Sequence, residues 1–496
     1  MTSLTFHGGV GEIGGNKILL EDGGKRIWLD FGMSFKQSGL YFDEFLQPKK
    51  YNGVIDFLEM GLLPGVTDMA GFYRQDYLAH ADMPTSPDAA YDGVFLSHAH
   101  ADHANYIHFL RSDIPIYASE VTKRILASLE DTSSSGFNEF LNFKETFTLR
   151  PKKTGEGMMK PKSEETKVAR DFRALAPGEQ VVVGDLTVEA MAVNHSIPGA
   201  LGFLVHTPQG VITYTGDIRF HGYGGALTRD FVKRAAEAQP ITLICEGTRV
   251  KKDEDETESL TEQDVQERVA KVVNQTKNLV IANYPWKDIE RLRSFYEVAK
   301  MTGRKLALSL KQAYLLKRLE GTDAGAPSLG DGNIVIYIDR KTWGLINKPH
   351  YPQNIVEQDY SAWEREFLSY TNRVTCDDIH RHQSDFIVRI DFFDLTDLIN
   401  IRPDDGSCYI RSITEPFDEE GEIELERVEN WLKHFGLYPY EQVHASGHAS
   451  GAEIKRLIEE INPKLVFPVH TEHPELFVAP PGTRVEIPQA GKSYRL

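Results

Sequence analysis

The chain has 496 residues, a formal net charge of −18 at pH 7 and 41% hydrophobic with 26% charged residues, which predicts a soluble globular protein of two or three domains. Its three cysteines, Cys245, Cys376 and Cys408, lack the spacing of a disulfide framework or a thiolate metal site and fit a cytoplasmic protein. No apolar run could span a bilayer, the start lacks a secretory signal, and the acidic charge argues against a generally sticky nucleic-acid binder while leaving room for a local basic groove.

The opening Leu4-Thr5-Phe6 reads as a strand, and Gly9, Gly11 and Gly14 match G-x-G-x-x-G. A dinucleotide fingerprint needs a helix next. Here Lys17 to Glu21, an Asp22-Gly23-Gly24 turn and Arg26 to Asp30 predict strand, hairpin and strand instead. The glycines are expected to let backbone pass close to a site, and Asp30 to orient metal ligands from behind. Residues 35–90 read as a long, irregular, aromatic insertion that could shape a substrate wall.

The run Val94-Phe95-Leu96 predicts a buried strand, and His98, His100, Asp102 and His103 follow it as H-x-H-x-D-H. Alternation puts His98 and His100 on one side of an extended loop. Asp102 and His103, one step further, can serve a second ion. Imidazole and carboxylate without thiolate suit an open hydrolytic zinc site; the plain alternative is a histidine-rich surface loop. Residues 104–110 have helix-like apolar spacing. Residues 151–167 hold five lysines and three glutamates without periodicity, which predicts a solvated loop, with phosphate contact as the alternative. Two further strand-like runs, 187–193 and 211–215, lead to His195 and Asp217. Either residue alone would be structural at such a place, but three strand ends bearing ligand types predict convergence. A carboxylate such as Asp217 can bridge two cations.

In the second half, 241–248 predicts a strand ending in Glu246, and an acidic loop at 251–258 marks a boundary. A helix from Thr261 to about 275, a strand at 278–284, a helix at 287–302 and strands at 305–310, 333–338, 386–390 and 408–412 follow. This alternation predicts a parallel α/β domain. A helix at 424–435 leads to His444-Ala445-Ser446-Gly447-His448, and a last strand to His470. Ser446 and Ser450 lack the G-x-S-x-G setting of a serine nucleophile.

The 97–103 motif, His195 and Gly216-Asp217 resemble the metallo-β-lactamase superfamily. That resemblance implies a four-layer αββα sandwich with a two-zinc site at one sheet edge. With segments 8–14, 195–200, 215–217, 444–449 and 468–470, the chain resembles the β-CASP branch and its ribonuclease J-like nucleases. This implies an α/β fold in which 1–247 and 419–496 form the sandwich and 248–418 an inserted parallel β-CASP domain. It implies one zinc on His98, His100, His195 and Asp217, and a second on Asp102, His103, His470 and the same Asp217. Asp102, Asp217, Glu246 and His448 are the expected catalytic residues, with His448 as general acid oriented by Glu246. His444, Ala445, Ser446, Gly447 and His448 are expected to bind substrate, their backbone N–H groups facing a phosphate. The implied activity is phosphodiester hydrolysis in RNA; a DNA-processing nuclease, a small-ester or lactone hydrolase and a binding protein with a dead site are the alternatives. The expected partners are RNA, then single-stranded DNA, with a second copy of the chain in a homodimer and no membrane. Residues 35–90 and about 130–175 are longer than in the family, and the chain stops soon after His470, so the family's additional C-terminal domain is expected to be absent.

Overall fold

The computed structural model describes residues 1–496 except 44, 134–135, 253–259 and 416–418. The acidic loop expected at 251–258 therefore falls largely outside the described residues, as does the junction at 418. Three seven-stranded sheets organise the rest.

The first sheet runs, in spatial order, Phe172–Leu175, Ile116–Ser119, Gly93–Phe95, Lys25–Phe31, Lys17–Asp22, Ser3–Gly8 and Ser493–Arg495. The glycine-rich opening leads into an antiparallel hairpin in which Asp22 faces Lys25 across Gly23-Gly24. No helix follows the glycines, as the sequence indicated. The second sheet runs Gln180–Val183, Leu186–Ala192, Leu201–Thr207, Gly210–Tyr214, Thr242–Glu246, Leu465–Val469 and Arg484–Val485.

Strand periodicity decides how these sheets meet. Successive side chains point to opposite faces, so Leu4, Phe6, Ile18, Leu20, Ile27 and Leu29 all face inward. They pack against Val188, Ala190, Phe203, Val205 and Phe467 of the second sheet. The outward set of the first sheet, Leu19, Trp28 and Val94, is covered by helix Glu120–Thr132 and by residues from 54 to 110. The outward set of the second, Leu204, Leu243 and Val466, is covered by helices Gly225–Ala238 and Gly451–Ile461. The layers are therefore helix, sheet, sheet, helix. The end of the chain completes both sheets: Leu465–Val469 lies parallel to Thr242–Glu246, and Ser493–Arg495 pairs with Ser3–Gly8.

The third sheet is parallel throughout, in the order Arg373–Thr375, Ile334–Ile338, Lys305–Ser309, Phe386–Arg389, Val280–Asn283, Cys408–Arg411 and Glu441–Gln442. Ile334–Ile338 is buried at every position, the continuous apolar run of a strand covered on both faces. One face is covered by helices Glu262–Gln275, Ile289–Thr302 and Leu310–Leu319. The other is covered in part by helix Glu419–His434, through Val428 and Leu432. Thr261 starts the first of these helices with a capping box, its hydroxyl accepting from the Asp264 N–H. Helix Leu310–Leu319 is absent from the sequence reading. It is capped by Ser309, the last residue of the preceding strand, so no loop signal announces it.

Residues 35–90 are not a loose wall. They supply short helices Phe35–Gly39, Ile55–Glu59 and Gln75–His80 and an aromatic layer on the first sheet, in which Phe72 stacks on Trp28 at 5.2 Å. Among the described residues, no helix is long and apolar enough to cross a membrane.

Candidate metal centre

The strand ends of both sandwich sheets meet at one edge. His98 and His100 leave Gly93–Phe95 in extended backbone. Asp102 and His103 sit in a single helical turn, Ala101–Ala104, which passes into a 3-10 turn at Asn105–Phe109 rather than the longer helix expected from 104. His195, Asp217 and His470 follow the strands Leu186–Ala192, Gly210–Tyr214 and Leu465–Val469. Two groups result, each with its ligand atoms within 4.8 Å of one another: His98, His100, His195 and Asp217, and Asp102, His103, Asp217 and His470. Asp217 belongs to both. Its Oδ2 lies 3.1 Å from His103 Nε2, 3.6 Å from His98 Nε2 and His470 Nε2, and 3.7 Å from His195 Nε2.

The donor set fits a cation. His98 Nε2 and His100 Nδ1 are 3.0 Å apart, and His100 Nδ1 and His195 Nε2 3.1 Å. Burial first, then the other charges around it, hold all three imidazoles neutral, His100 down to about 3. Lone pairs thus converge without enough protons between them. His103 Nε2 and Asp217 Oδ1 are buried and make no hydrogen bond, a cost of about 1–3 kcal/mol each unless something else satisfies them. Nitrogen and carboxylate oxygen are the donors zinc takes in open hydrolytic sites.

The scaffold behind these side chains fixes their direction. Asp30 is fully buried and accepts from Ser97 N at 2.6 Å, Ser97 Oγ at 2.7 Å, Tyr214 OH at 2.6 Å and His103 Nδ1 at 2.7 Å. That last bond leaves His103 Nε2 turned to Asp217. His195 Nδ1 donates to the Gly447 carbonyl at 2.7 Å and leaves its Nε2 free in the same way. Asp30 and His470 both adopt left-handed backbone, φ 58° and 53°, a strain of about 1–3 kcal/mol each that packing must hold. The glycines serve closeness: a Cβ on Gly14 would stand 2.6 Å from Asp102 Oδ2, and one on Gly32 1.7 Å from the Asp102 carbonyl.

Beside the two groups, His448 Nδ1 lies 3.0 Å from Glu246 Oε2 and 4.0 Å from Asp217 Oδ2. Burial works against its protonation, but Glu246 outweighs this and pushes the imidazole up to about 9. Glu246 is itself fixed, accepting from Ile218 N at 2.7 Å and Thr248 Oγ1 at 2.8 Å. Thr248, which the sequence reading passed over, also lies 2.8 Å from His470 Nδ1. Only its place two residues after Glu246 could have signalled it.

The stretch 444–447 divides. His444 does not join the cluster; its Nδ1 lies 3.1 Å from Arg291 and 3.3 Å from the Ser412 carbonyl. The Ala445 carbonyl accepts from Arg291, and that of Ser446 from Arg219. The N–H groups of 445–447 make no hydrogen bond among the described residues. Arg219 and Arg291 belong to a buried charged seam that no local motif in the chain marks. Glu262 takes Arg291 at 2.9 Å and Arg219 at 3.2 Å, and Glu290 takes Arg219 at 2.7 Å. The seam ties helices of the third sheet to the loops of the metal centre.

Residues 64–255 match the family model described as the beta-lactamase superfamily domain. The chain carries a metallo-β-lactamase superfamily domain. It holds seven of the thirteen residues named above as catalytic, ligating or substrate-binding. Residues 440–476, which carry His444 to His448 and His470, match a second model, the Zn-dependent metallo-hydrolase RNA specificity domain. Over nearly the whole chain there is similarity to proteins named ribonuclease J. It is 24% identical over 489 residues to that of Pyrococcus abyssi, covering 95% of this chain and 90% of the relative. It is 22% identical over 480 residues to that of Helicobacter pylori, covering 95% and 56%. The chain thus spans little more than half of the Helicobacter relative. A crystal structure of a protein of unknown function from Enterococcus faecalis V583 superposes with a TM-score of 0.69 at 22% identity, over all of both chains. That likeness concerns the fold.

Proposed function

We propose that the chain is a two-zinc phosphodiesterase that hydrolyses RNA. The observation carrying this is the position of Asp217, one carboxylate shared by two complete ligand groups. His98, His100 and His195 would hold one ion with it, and Asp102, His103 and His470 the other. Such a pair supplies Lewis acidity to the phosphodiester and charge for its transition state.

The chain's own residues do the rest. The unbonded N–H groups of 445–447 donate to the phosphate oxygens, while Arg219 and Arg291 hold the carbonyls of that loop away from it. His448, protonated at neutral pH, gives its proton to the departing oxygen, and Glu246 keeps the ring at the right angle through Nδ1. The RNA preference rests on the names of the relatives and on the model matched by 440–476. In this reading the third-sheet unit is an insertion running from 248 to about 442 rather than to 418. The physical reason is that helix Glu419–His434 packs on the third sheet and strand Glu441–Gln442 pairs with it. A cytoplasmic setting fits the three free cysteines.

The test combines metal analysis with hydrolysis of RNA, single-stranded DNA, bis(p-nitrophenyl) phosphate and a p-nitrophenyl ester. The expected outcome is about two zinc ions per chain, and RNA cleavage that a chelator abolishes and zinc restores. Ester hydrolysis without diester hydrolysis would overturn the proposal, and DNA cleavage exceeding RNA cleavage would overturn its substrate. His448→Ala should keep its metal and lose about 10²–10⁴-fold in rate, with a smaller deficit on the nitrophenolate leaving group, which needs no proton. Equal deficits on both substrates would take the acid role from His448.

A further inference from the structure

We propose that the loop Trp286-Lys287 and the cavity next to it form a nucleotide subsite, in which Trp286 stacks the base and Lys287 meets the phosphate that enters the metal centre. The inference rests on the nucleic-acid reading above and adds a place to it.

The cavity, about 370 Å³, opens where strands Lys305–Ser309, Ile334–Ile338 and Phe386–Arg389 end. Open parallel sheets bind ligands outside the carboxyl ends of their strands, and this volume suits a small ligand. Trp286, Trp363 and Phe393 line it. Phe393 is 85% exposed, an aromatic face offered to solvent with no core to fill. Lys311 Nζ stands 4.8 Å over the Trp286 ring. Aromatic faces beside a cation are what single strands use for stacking, whatever their sequence. Trp286 is held by its carbonyl, which accepts from Gln312 Nε2 at 3.1 Å.

The polar wall adds hydrogen bonding. Lys341 is taken by Asp339 and Glu364, and Arg389 by Asp391. Asp397 has no cation within ion-pair distance among the described residues. Burial, then Asp339, pushes its carboxyl up to about 8. A neutral carboxyl accepts with its carbonyl and donates with its hydroxyl. That pattern complements the adjacent donor and acceptor that a base edge presents, amino group and ring nitrogen in adenine or cytosine, ring N–H and carbonyl in uracil.

Lys287 is the next residue. It makes no hydrogen bond or ion pair among the described residues, yet its charge is felt at His100 and Asp102. Adjacent Cα atoms are about 3.8 Å apart, so the base platform and the metal-side cation are within one nucleotide of each other. Arg291, in the helix that follows, donates to the Ala445 carbonyl at 2.9 Å and so fixes this loop against the metal centre.

The experiment is fluorescence anisotropy of labelled short oligo(rA) and oligo(rU) on the full-length, zinc-loaded protein, with RNA cleavage recorded in parallel. Wild type should bind both oligonucleotides, because the aromatic platform and the carboxyl edge take either base. Trp286→Ala should weaken oligo(rA) binding by about 5- to 150-fold, the worth of one stacked base, and Trp286→Phe should recover most of it. Lys287→Met should flatten the slope of log affinity on log salt by about 0.7, the loss of one single-strand phosphate contact. Unchanged affinity in a folded Trp286→Ala protein or an unchanged salt slope in Lys287→Met would overturn the subsite. Binding that follows the expected pattern in a protein that cleaves no RNA would leave the subsite standing and remove the nuclease reading instead.

Discussion

The metal centre and the charged seam beside it are both buried and polar, but they balance their charge in different ways. In the seam, Glu262 and Glu290 meet Arg219 and Arg291 at 2.7–3.2 Å, and the remaining donors reach the Asn194 side-chain oxygen and backbone carbonyls. It closes on itself. In the metal centre, the neutral imidazoles of His98, His100 and His195 crowd one another, and His103 Nε2 and Asp217 Oδ1 make no hydrogen bond. It closes only with something added. Buried polar groups that complete each other hold a structure together; buried polar groups that do not are prepared for a ligand.

The largest break in that contrast should come from Asp217→Ala. Because one carboxylate serves both groups, metal content should fall for both ions together, from about two toward none. Hydrolysis should drop beyond the about 10²–10³-fold lost with a single electrostatic donor. Plasma emission analysis of the purified protein checks it, and full occupancy would end the bridging assignment. Next in size is Arg291→Met, which removes a seam cation and leaves Glu262 with Arg219 alone. Breaking a buried pair costs about 3–5 kcal/mol, so the urea midpoint should fall sharply while metal content holds. Loss of metal with unchanged stability would mean that the two regions are not separate in kind. Asp30→Asn should come third. Asparagine keeps the volume but cannot accept the four bonds Asp30 now takes, and orienting partners of this sort are worth about 10–100-fold in metal affinity. Competition with a chromophoric chelator reads that value directly.

The same contrast explains what could be read from the chain in advance. His98, His100, Asp102, His103, His195, Asp217 and His470 all stand just past apolar runs, and a strand end is a local signal. So are the hairpin at 17–31 and the alternation that foretells a parallel third sheet. The seam has no local signal. Arg219, Glu262 and Arg291 are ordinary charged residues until folding brings them together from 29 to 43 positions apart. His444 shows the limit: its neighbours in sequence placed it with the substrate loop, and Arg291 draws it into the seam instead. The boundary proposed near 442 in place of 418 turns on a related point. Helix Glu419–His434 is long and amphipathic, and the chain does not state which of two nearby cores its apolar face will join.

The smallest and sharpest difference lies in acid. Burial alone would raise the Glu262 carboxyl, but Arg291 and then Arg219 outweigh it and hold it at about 2, against an ordinary 4.5. A carboxylate depressed by folding binds fewer protons in the native state than in the unfolded one. Its stabilising effect is therefore complete above about 4.5 and disappears as pH falls toward 2. Glu262→Gln cannot titrate. It should be the less stable protein at neutral pH, and its stability should decline less steeply than wild type below 4.5, so that the two curves approach each other in acid. The metal centre is the same in both proteins, so its contribution cancels in the difference, which isolates the seam. Parallel curves from urea unfolding between about pH 4.5 and about pH 3, below the value of about 6 to which burial and then Glu262 raise the Asp288 carboxyl, would show that the seam is held by packing rather than by charge, and the distinction between the two regions would then lose its electrostatic basis.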